Sequence, residues 1–280
     1  MTAHLGIRYA EPAAGELRLR PPVDHDGEPT GAFGDRHTLN VWSTGDGPVL
    51  LWVHGGANTT GTSAQPEYAG DVLAGLGVVF VSCDYRLAED GYGAVEGFPH
   101  NRGLLDIVSA LRWVRRNIAR YGGDPGNVTV AGQSSGAQAV ASLMVMPAAK
   151  GLFHRAVLHS LAGRFFTPAE AATTQREKPA DVVLYQPIID GDTLPRSPLD
   201  GPYDVDVLTC HTADEDVDLF QRPTTRLADE ANAYRSVYAR TPAHHGADVP
   251  AMFRGDIARA WARFAHTGDP GWPREVSFRW

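Results

Sequence analysis

The sequence has few cysteines, an excess of acidic over basic residues and no long apolar run. Its 280 residues include two cysteines, Cys83 and Cys210, which are too few for a disulfide scaffold, so we expect two buried free thiols. The formal charge of −8 argues against a nucleic-acid binder held by basic patches. No apolar run approaches the roughly 20 residues of a membrane span, which predicts a protein with no membrane partner. The chain also lacks a basic start followed by an apolar stretch, and the expected location is therefore the cytoplasm.

The composition of the chain is that of a globular protein. Apolar residues make up 43% of the chain and charged residues 21%, so a core of ordinary size is possible. There is no fixed-period repeat and no linker-like stretch. We therefore predict a single domain over residues 1–280, and we leave open whether it is a monomer or a homodimer.

The first 160 residues alternate between short apolar runs and segments of helical period. The helical pattern covers residues 101–121 and 134–146, whereas strands are predicted at residues 39–43, 49–53, 78–83, 128–131 and 156–159. Buried strands that alternate with helices are typical of a mostly parallel sheet with helices on both faces. The sequence therefore predicts an α/β fold.

Past residue 160 the pattern is weaker. Residues 167–181 are polar and have no clear period, and residues 185–202 are rich in proline and glycine and read as a loop. A further strand is expected at 205–209, and helices are predicted over 225–240 and 248–265.

The pentapeptide Gly132-Gln133-Ser134-Ser135-Gly136 matches the pattern G-x-S-x-G. A serine on a tight strand-to-helix turn needs small neighbours, and such a turn presents its hydroxyl at the carboxyl end of a sheet. The predicted strand before it and the predicted helix after it are the context that this motif requires. Ser134 is thus the candidate nucleophile, against the alternative of a glycine-rich turn with no chemistry.

A second glycine pair, Gly55-Gly56, follows the predicted strand at 49–53. Adjacent glycines let backbone N–H groups point into a cavity, and acyl transfer needs such donors where the carbonyl oxygen becomes negative. We expect an oxyanion hole built from the N–H groups of Gly56, Ala57 and Ser135. His54 directly before the glycines is expected to fix the loop rather than to act as a base.

A base and an acid should follow the serine in the order Ser, acid, His. His154 and His159 come too early for that order. His244 and His245 lie in a predicted loop after the last predicted strand, and the neighbouring Gly246 favours His245.

The acid is expected after the strand at 205–209, where Asp214, Glu215, Asp216 and Asp218 form an acidic run. A carboxylate at the end of a strand can orient an imidazole, whereas such a run is usually a solvated face. Metal binding by His211 with these carboxylates is a weaker alternative, because the cluster lacks the ligand spacing of a loop-type site.

Several segments together resemble the type-B carboxylesterase family of α/β-hydrolases. They include Asp84-Tyr85-Arg86-Leu87, the stretch 121–129, Asp214-Glu215 and His245-Gly246-Ala247-Asp248. The resemblance implies an α/β-hydrolase fold, Glu215 as the catalytic acid and His245 as the base.

The departures from the family pattern concern the surroundings of the site. Two long insertions of the family are absent from the second half, which predicts a reduced cap and a shallow, open site. The residue before the serine, usually glutamate in the family, is Gln133, and Asn58 stands where an aromatic residue is usual. Short acyl chains or bulky, exposed esters should therefore suit this site better than long chains that need a tunnel.

Together these observations predict a serine carboxylic-ester hydrolase that acts through an acyl-enzyme with a Ser134–His245–Glu215 triad. The expected partner is a small-molecule ester, and neither a metal nor an organic cofactor is expected. Two alternatives stay open. The same site could cleave thioesters, amides or carbamates or transfer acyl groups, and the chain could be a non-catalytic binding protein of the same family.

Overall fold

A computed structural model describes residues 1–68, 70–274 and 277–280. Its centre is a nine-stranded sheet. The strands are β1 (Thr2–Arg8), β2 (Thr38–Ser43), β3 (Gly47–Val53), β4 (Val79–Cys83), β5 (Gly123–Gln133), β6 (Arg155–His159), β7 (Asp206–Thr212), β8 (Tyr234–Tyr238) and β9 (Ser277–Arg279).

The sheet is mostly parallel. Its spatial order is β1-β2-β4-β3-β5-β6-β7-β8-β9, and β3 to β9 all run in the same direction. Strand β2 pairs antiparallel with both β1 and β4. Since parallel strands end at the same edge of a sheet, the loops that follow β3, β5 and β7 are brought together there.

Helices cover both faces of this sheet. They are α1 (Asp71–Gly75), α2 (Ala88–Tyr92), α3 (Arg102–Asn117), α4 (Ser135–Val145), α5 (Pro168–Glu177), α6 (Arg222–Glu230), α7 (Val249–Phe253) and α8 (Asp256–Thr267). Single turns of 3₁₀ helix lie at Gly15–Leu17, Pro66–Tyr68, Ile118–Tyr121 and Pro147–Ala149, and a π-helical turn lies at Val217–Gln221.

Strand β3 shows how the two faces are used. Its residues Val49, Leu51 and Val53 pack with α3 and α4 in one apolar core, whereas Leu50 and Trp52 pack with α1, α7 and α8 in the other. This period of two along a continuously apolar strand is typical of a sheet that is buried on both sides. The α/β fold with helices on both faces is thus confirmed, and so are the two buried free thiols.

The prediction of one helix over 225–240 is wrong. Helix α6 ends at Glu230, Asn232 turns the chain with a φ of 46°, and β8 follows. The sequence of β8 alternates in burial, with Ser236 and Tyr238 buried, and the strand pairs in parallel with β7. Aromatic and β-branched residues fit such a pleated surface, and tertiary pairing decides between helix and strand here.

Two smaller expectations also need correction. The helix predicted over 248–265 is broken into α7 and α8 at Gly255, whose φ of 89° is a left-handed conformation that favours glycine. The polar stretch 167–181 contains α5, which begins with a capping box in which Thr167 and Glu170 satisfy each other's backbone N–H groups.

A buried ion pair fixes the chain after β4. The Nε and Nη2 groups of Arg86 donate to the two oxygens of Asp106 on α3 at 2.8 and 2.6 Å, and both side chains are fully buried. Burial by itself raises the pKa of Asp106, but the hydrogen bonds and charges of Arg86 and His37 together outweigh it, so the pKa lies below its ordinary value. The neighbouring Tyr85 donates its hydroxyl to the carbonyl oxygen of His54 at 2.6 Å, which links this segment to the loop after β3.

Removing one partner of this pair leaves an uncompensated buried charge. We expect Asp106→Ala to lower the free energy of unfolding by about 3–5 kcal/mol, measured by urea denaturation. Glu28→Ala removes the exposed partner of Arg120 and should leave the denaturation midpoint nearly unchanged. Equal effects of the two variants would contradict a dominant contribution of the buried pair.

Candidate active site

Ser134 lies on a strained turn between β5 and α4. Its backbone has φ 57° and ψ −123°, a conformation that a non-glycine residue adopts only where the surroundings enforce it. A Cβ added at Gly136 would approach the carbonyl oxygen of Val53 to 2.2 Å, and one at Gly132 would approach the backbone of Gly136 to 2.5 Å. Both glycines of the G-x-S-x-G motif are therefore required by close backbone packing.

The structure brings Ser134, His245 and Glu215 into one hydrogen-bonded chain. The Oγ of Ser134 lies 3.0 Å from Nε2 of His245, and Nδ1 of His245 lies 2.8 Å from Oε2 of Glu215. A carboxylate can only accept, so Nδ1 carries the proton and Nε2 is free to accept from the serine hydroxyl. The other carboxylate oxygen of Glu215 accepts the Thr212 N–H at 3.1 Å. The Glu215 side chain is fully buried, whereas that of His245 is 32% exposed.

The alternative base and acid that the sequence offered lie outside this series of hydrogen bonds. His244 and Asp214 are exposed. The backbone explains their orientation, because the Asp214 N–H donates to the carbonyl oxygen of Ala243 and the Ala247 N–H donates to that of His244. The sequence predicted that His245 follows the last strand. That prediction is wrong, because β9 comes later in the chain.

The loop after β3 lies directly against the serine turn. A Cβ added at Gly55 would lie 3.3 Å from the Cβ of Ser134. Gly56 and Ala57 have φ values of 126° and 55°, and the Gly56 carbonyl oxygen accepts the N–H groups of Thr59 and Thr60. Ala57 and Ser135 line a cavity of about 50 Å³ together with Ser134. Ser135 opens α4, where a backbone N–H has no partner inside the helix.

His54 is buried under this loop. Its Nδ1–H donates to the carbonyl oxygen of Gly55 at 2.8 Å, and its ring stacks on Tyr85 with centroids 4.6 Å apart. Burial lowers the pKa of His54 below its ordinary 6.5, so the ring is neutral at pH 7. A neutral ring tied to the backbone is suited to holding the loop.

The side-chain amides of Asn58, Gln138 and Gln186 line the small cavity. Asn58, which stands where the family usually has an aromatic residue, donates to Gln138 at 3.0 Å, and Gln138 donates to Gln186 at 2.9 Å. Gln133, in place of the usual glutamate, has its Nε2 3.4 Å from Nε2 of His245. The site consequently has one carboxylate fewer beside the serine than the family pattern implies.

A second pair of a histidine and a carboxylate, which the sequence analysis did not anticipate, joins β6 to the loop that follows His245. Nδ1 of His159 is 3.0 Å from Oδ2 of Asp248, and Trp261 donates its Nε1–H to Nε2 of His159 at 3.2 Å. All three side chains are buried, and Asp248 is only three residues beyond His245. The only signal in the sequence was the position of Asp248 within the histidine motif.

Within the described part of the chain, one group of side chains has ligand atoms close enough together for a metal, namely His159, Cys210 and Asp248. Their ligand atoms lie within 4.8 Å of one another. Both ring nitrogens of His159 already make hydrogen bonds, so this group is a hydrogen-bonded part of the core rather than an open ligand set. His211, the candidate ligand from the sequence, is outside this group, and its Nδ1 lies 3.1 Å from the carbonyl oxygen of Thr212.

Two features of the segment after Glu215 also escaped the sequence analysis. Phe220, on the π-helical turn, stacks its ring on the imidazole of His245. The side chain of Gln221 donates to the carbonyl oxygens of Thr212, Ala213 and Glu215. Neither a π-helical turn nor a ring stack has a local sequence pattern that predicts it.

A strained serine on a parallel sheet, with a histidine and a buried glutamate in hydrogen-bonding order, is typical of α/β-hydrolases. The chain belongs to the carboxylesterase family, whose model matches residues 35–180. This confirms the resemblance and the α/β-hydrolase fold, and it places the chain in a family of carboxylesterase-type hydrolases.

The names of individual relatives agree with this family membership. The chain is 47% identical to para-nitrobenzyl esterase of Bacillus subtilis over 132 residues, which cover 45% of this chain and 27% of that protein. It is 31% identical to fumonisin B1 esterase of Sphingopyxis macrogoltabida, with 96% of this chain and 66% of that protein covered. The chain thus spans between about a quarter and two thirds of the length of these relatives.

Solved structures show the same fold. A PNB esterase superimposes with a TM-score of 0.85 at 25% identity, covering 96% of this chain and 88% of that chain. A carboxylesterase of Geobacillus stearothermophilus gives a TM-score of 0.85 at 26% identity, covering 99% and 89%. As for membranes, none of the helices in the described ranges is both long and apolar enough to cross one.

Neutral, buried His54 makes stability depend on pH. Because its pKa is lowered in the folded chain, the unfolded chain binds more protons below about pH 6.5. This contribution to stability is fully present above pH 6.5 and is lost as the pH falls through the lowered pKa. Urea unfolding between pH 7.5 and 5 should therefore show a decline in the free energy of unfolding that is smaller in His54→Asn. The exposed His244→Asn should keep the wild-type decline, and an equally steep decline in His54→Asn would refute the assignment.

Proposed function

We propose that the protein hydrolyses carboxylic esters through an acyl-enzyme intermediate, with Ser134 as nucleophile, His245 as general base and Glu215 as the acid that orients it. The observation that carries this proposal is the continuous chain of hydrogen bonds from Ser134 through His245 to Glu215. Geometry of this kind is what nucleophilic catalysis by a serine requires.

In the first half of the reaction, Oγ of Ser134 attacks the ester carbonyl carbon while its proton moves to Nε2 of His245. The carbonyl oxygen becomes an oxyanion, which the backbone N–H groups of Gly56, Ala57 and Ser135 stabilise. When the carbon–oxygen bond of the ester breaks, the imidazolium returns its proton to the departing alcohol. The acyl group is then bound to Ser134.

In the second half, water takes the place of the alcohol. His245 removes a proton from the water, which attacks the acyl carbon, and the oxyanion forms again in the same place. When the bond between the acyl carbon and Oγ of Ser134 breaks, the carboxylic acid is released and the proton held by His245 returns to Oγ. Side chains and backbone groups of this chain suffice for each step, so the proposal calls for neither a metal nor an organic cofactor.

Glu215 has the same role in both halves of the reaction. Its buried carboxylate holds the imidazole through Nδ1 and stabilises the imidazolium that forms whenever Nε2 takes a proton. The second hydrogen bond, from the Thr212 N–H to Oε1, fixes the position of the carboxylate. The proton on Nδ1 stays with the histidine.

The proposed substrate is a small ester with a short acyl group and a leaving group that extends into solvent. The cavity beside Ser134 measures about 50 Å³. A space of this size suits an acetyl or propionyl group rather than a long chain, since a single water molecule already occupies about 10–15 Å³. His245 is partly exposed, which leaves space for a bulky alcohol. The names of two relatives, para-nitrobenzyl esterase and fumonisin B1 esterase, are consistent with bulky esters.

Replacement of the nucleophile provides the direct test. We expect Ser134→Ala to lower kcat for p-nitrophenyl acetate by about 10⁴–10⁶-fold, because the triad acts as a unit. Ser43→Ala, at the opposite edge of the sheet, is the control and should keep wild-type kinetics. Circular dichroism should show that both variants are folded. Equal, slow rates for the wild type and Ser134→Ala would instead favour a binding protein without catalysis.

The acyl preference is a separate test. With p-nitrophenyl esters the leaving group is constant, so kcat/KM compares acyl groups alone. The wild type should prefer acetate over octanoate by roughly tenfold or more, because an octanoyl chain cannot enter the cavity and each excluded methylene loses contact. Butyrate should lie between them. A profile that rises towards octanoate would contradict the proposed short-acyl cavity.

A further inference from the structure

We propose that Phe220 both positions the catalytic imidazole and limits the size of the acyl group. This inference rests on the proposed function, because it concerns the same site. Phe220 is the residue whose ring contacts His245 and also lines the cavity beside Ser134.

The two rings lie face to face. Their centroids are 3.8 Å apart, and their planes differ by 13°. The nitrogens of His245 are engaged within the plane of the imidazole, by Glu215 at one edge and Ser134 at the other. These bonds restrain movement of the ring in its plane but restrain its tilt less. The Phe220 ring covers one face and thereby opposes a tilt that would take Nε2 away from Ser134.

Local hydrogen bonds hold Phe220 in this place. It lies on the π-helical turn Val217–Gln221, whose start is capped by Oδ1 of Asp216, which accepts the Leu219 N–H at 2.7 Å. The Phe220 N–H donates to the carbonyl oxygen of Asp216 at 3.1 Å. Gln221 next to it donates to the carbonyl oxygen of Glu215 at 3.1 Å. The glutamate at the edge of the imidazole and the phenyl ring on its face therefore belong to one braced segment.

The stack also bears on the chemistry. The imidazole becomes an imidazolium during acylation and again during deacylation, and the face of an aromatic ring attracts a cation. Stabilisation that appears only when the proton is on Nε2 raises kcat rather than substrate affinity. An aliphatic side chain of similar size would fill the space without this attraction.

The second role follows from the cavity wall. Phe220 lines the 50 Å³ cavity beside Ser134 together with Leu219, Val183 and Ala162. Truncation of its ring would enlarge the space for the acyl group. The effect on the imidazole and the effect on acyl size can therefore be separated by the choice of substitution.

Kinetics with p-nitrophenyl acetate, butyrate and octanoate test both roles. Phe220→Leu should lower kcat for the acetate about three- to tenfold with little change in KM, whereas Phe220→Tyr, which keeps the aromatic face, should restore most of the wild-type kcat. Phe220→Ala should in addition shift the ratio of octanoate to acetate kcat/KM upwards at least about threefold. Val217→Ala, an exposed position on the same turn that does not line the cavity, is the control and should match the wild type.

NMR spectroscopy provides a readout that needs no turnover. In protein labelled with ¹³C-histidine, the ring protons of His245 should be shifted upfield by the phenyl ring and should move downfield in Phe220→Leu, with His245→Gln identifying the resonance. If the wild type hydrolyses no ester, the proposed function fails, but this comparison still decides whether the Phe220 ring stacks on the imidazole of His245, as the inference requires. An unmoved resonance, or ester hydrolysis with the same kcat in Phe220→Leu as in the wild type, would overturn the inference.

Discussion

The close approach of helix α4 to the end of strand β3 is the constraint on which the site depends. At Gly136 the backbone lies so near the carbonyl oxygens of Val53 and His54 that a Cβ would be 2.2 and 2.8 Å from them. This contact presses the turn of Ser134 against the loop of Gly55. Since β3 and β5 are neighbouring parallel strands, their register places the proposed nucleophile Ser134 and the proposed oxyanion donors at one edge of the sheet. Without the glycines, the two loops could not share one cavity.

The next strands extend this arrangement to the histidine. The Ser134 N–H donates to the carbonyl oxygen of His159 at the end of β6, and the side chain of the same residue is hydrogen-bonded with Asp248. Asp248 lies three residues after His245, so one residue of β6 contacts both the serine turn and the histidine loop. Strand β7 supplies Thr212, whose N–H holds Glu215. Three adjacent strands thus each fix one member of the hydrogen-bonded series Ser134–His245–Glu215, which explains how residues far apart in sequence meet within hydrogen-bonding distance.

Most of the fold and of the candidate site could be predicted because their signals are local. The strand, the glycine-flanked Ser134 and the following helix are contiguous in sequence, as is the pair Gly55-Gly56 after β3. The prediction failed at β8, where a run of tyrosine, arginine, serine and valine becomes a strand through pairing with β7. The choice of His245 over its neighbour His244 rested on Gly246 and the family motif, because the contact that distinguishes His245, with Glu215, is tertiary. The stack on Phe220 and the pair of His159 and Asp248 join segments that no spacing rule connects.

The short connections of this chain change how the proposed catalytic histidine, His245, can be held. Between β7 and β8 the chain makes only the π-helical turn and α6, and the His245 side chain keeps a third of its surface in solvent. With so little covering structure, the ring must be positioned by its own immediate contacts. Glu215 fixes the edge of the imidazole, Phe220 covers one face, and Asp248 anchors the loop through its hydrogen bond with His159. Under the proposed mechanism, an open site of this kind admits large leaving groups and still keeps its base rigid, because the rigidity comes from three short-range contacts rather than from a lid.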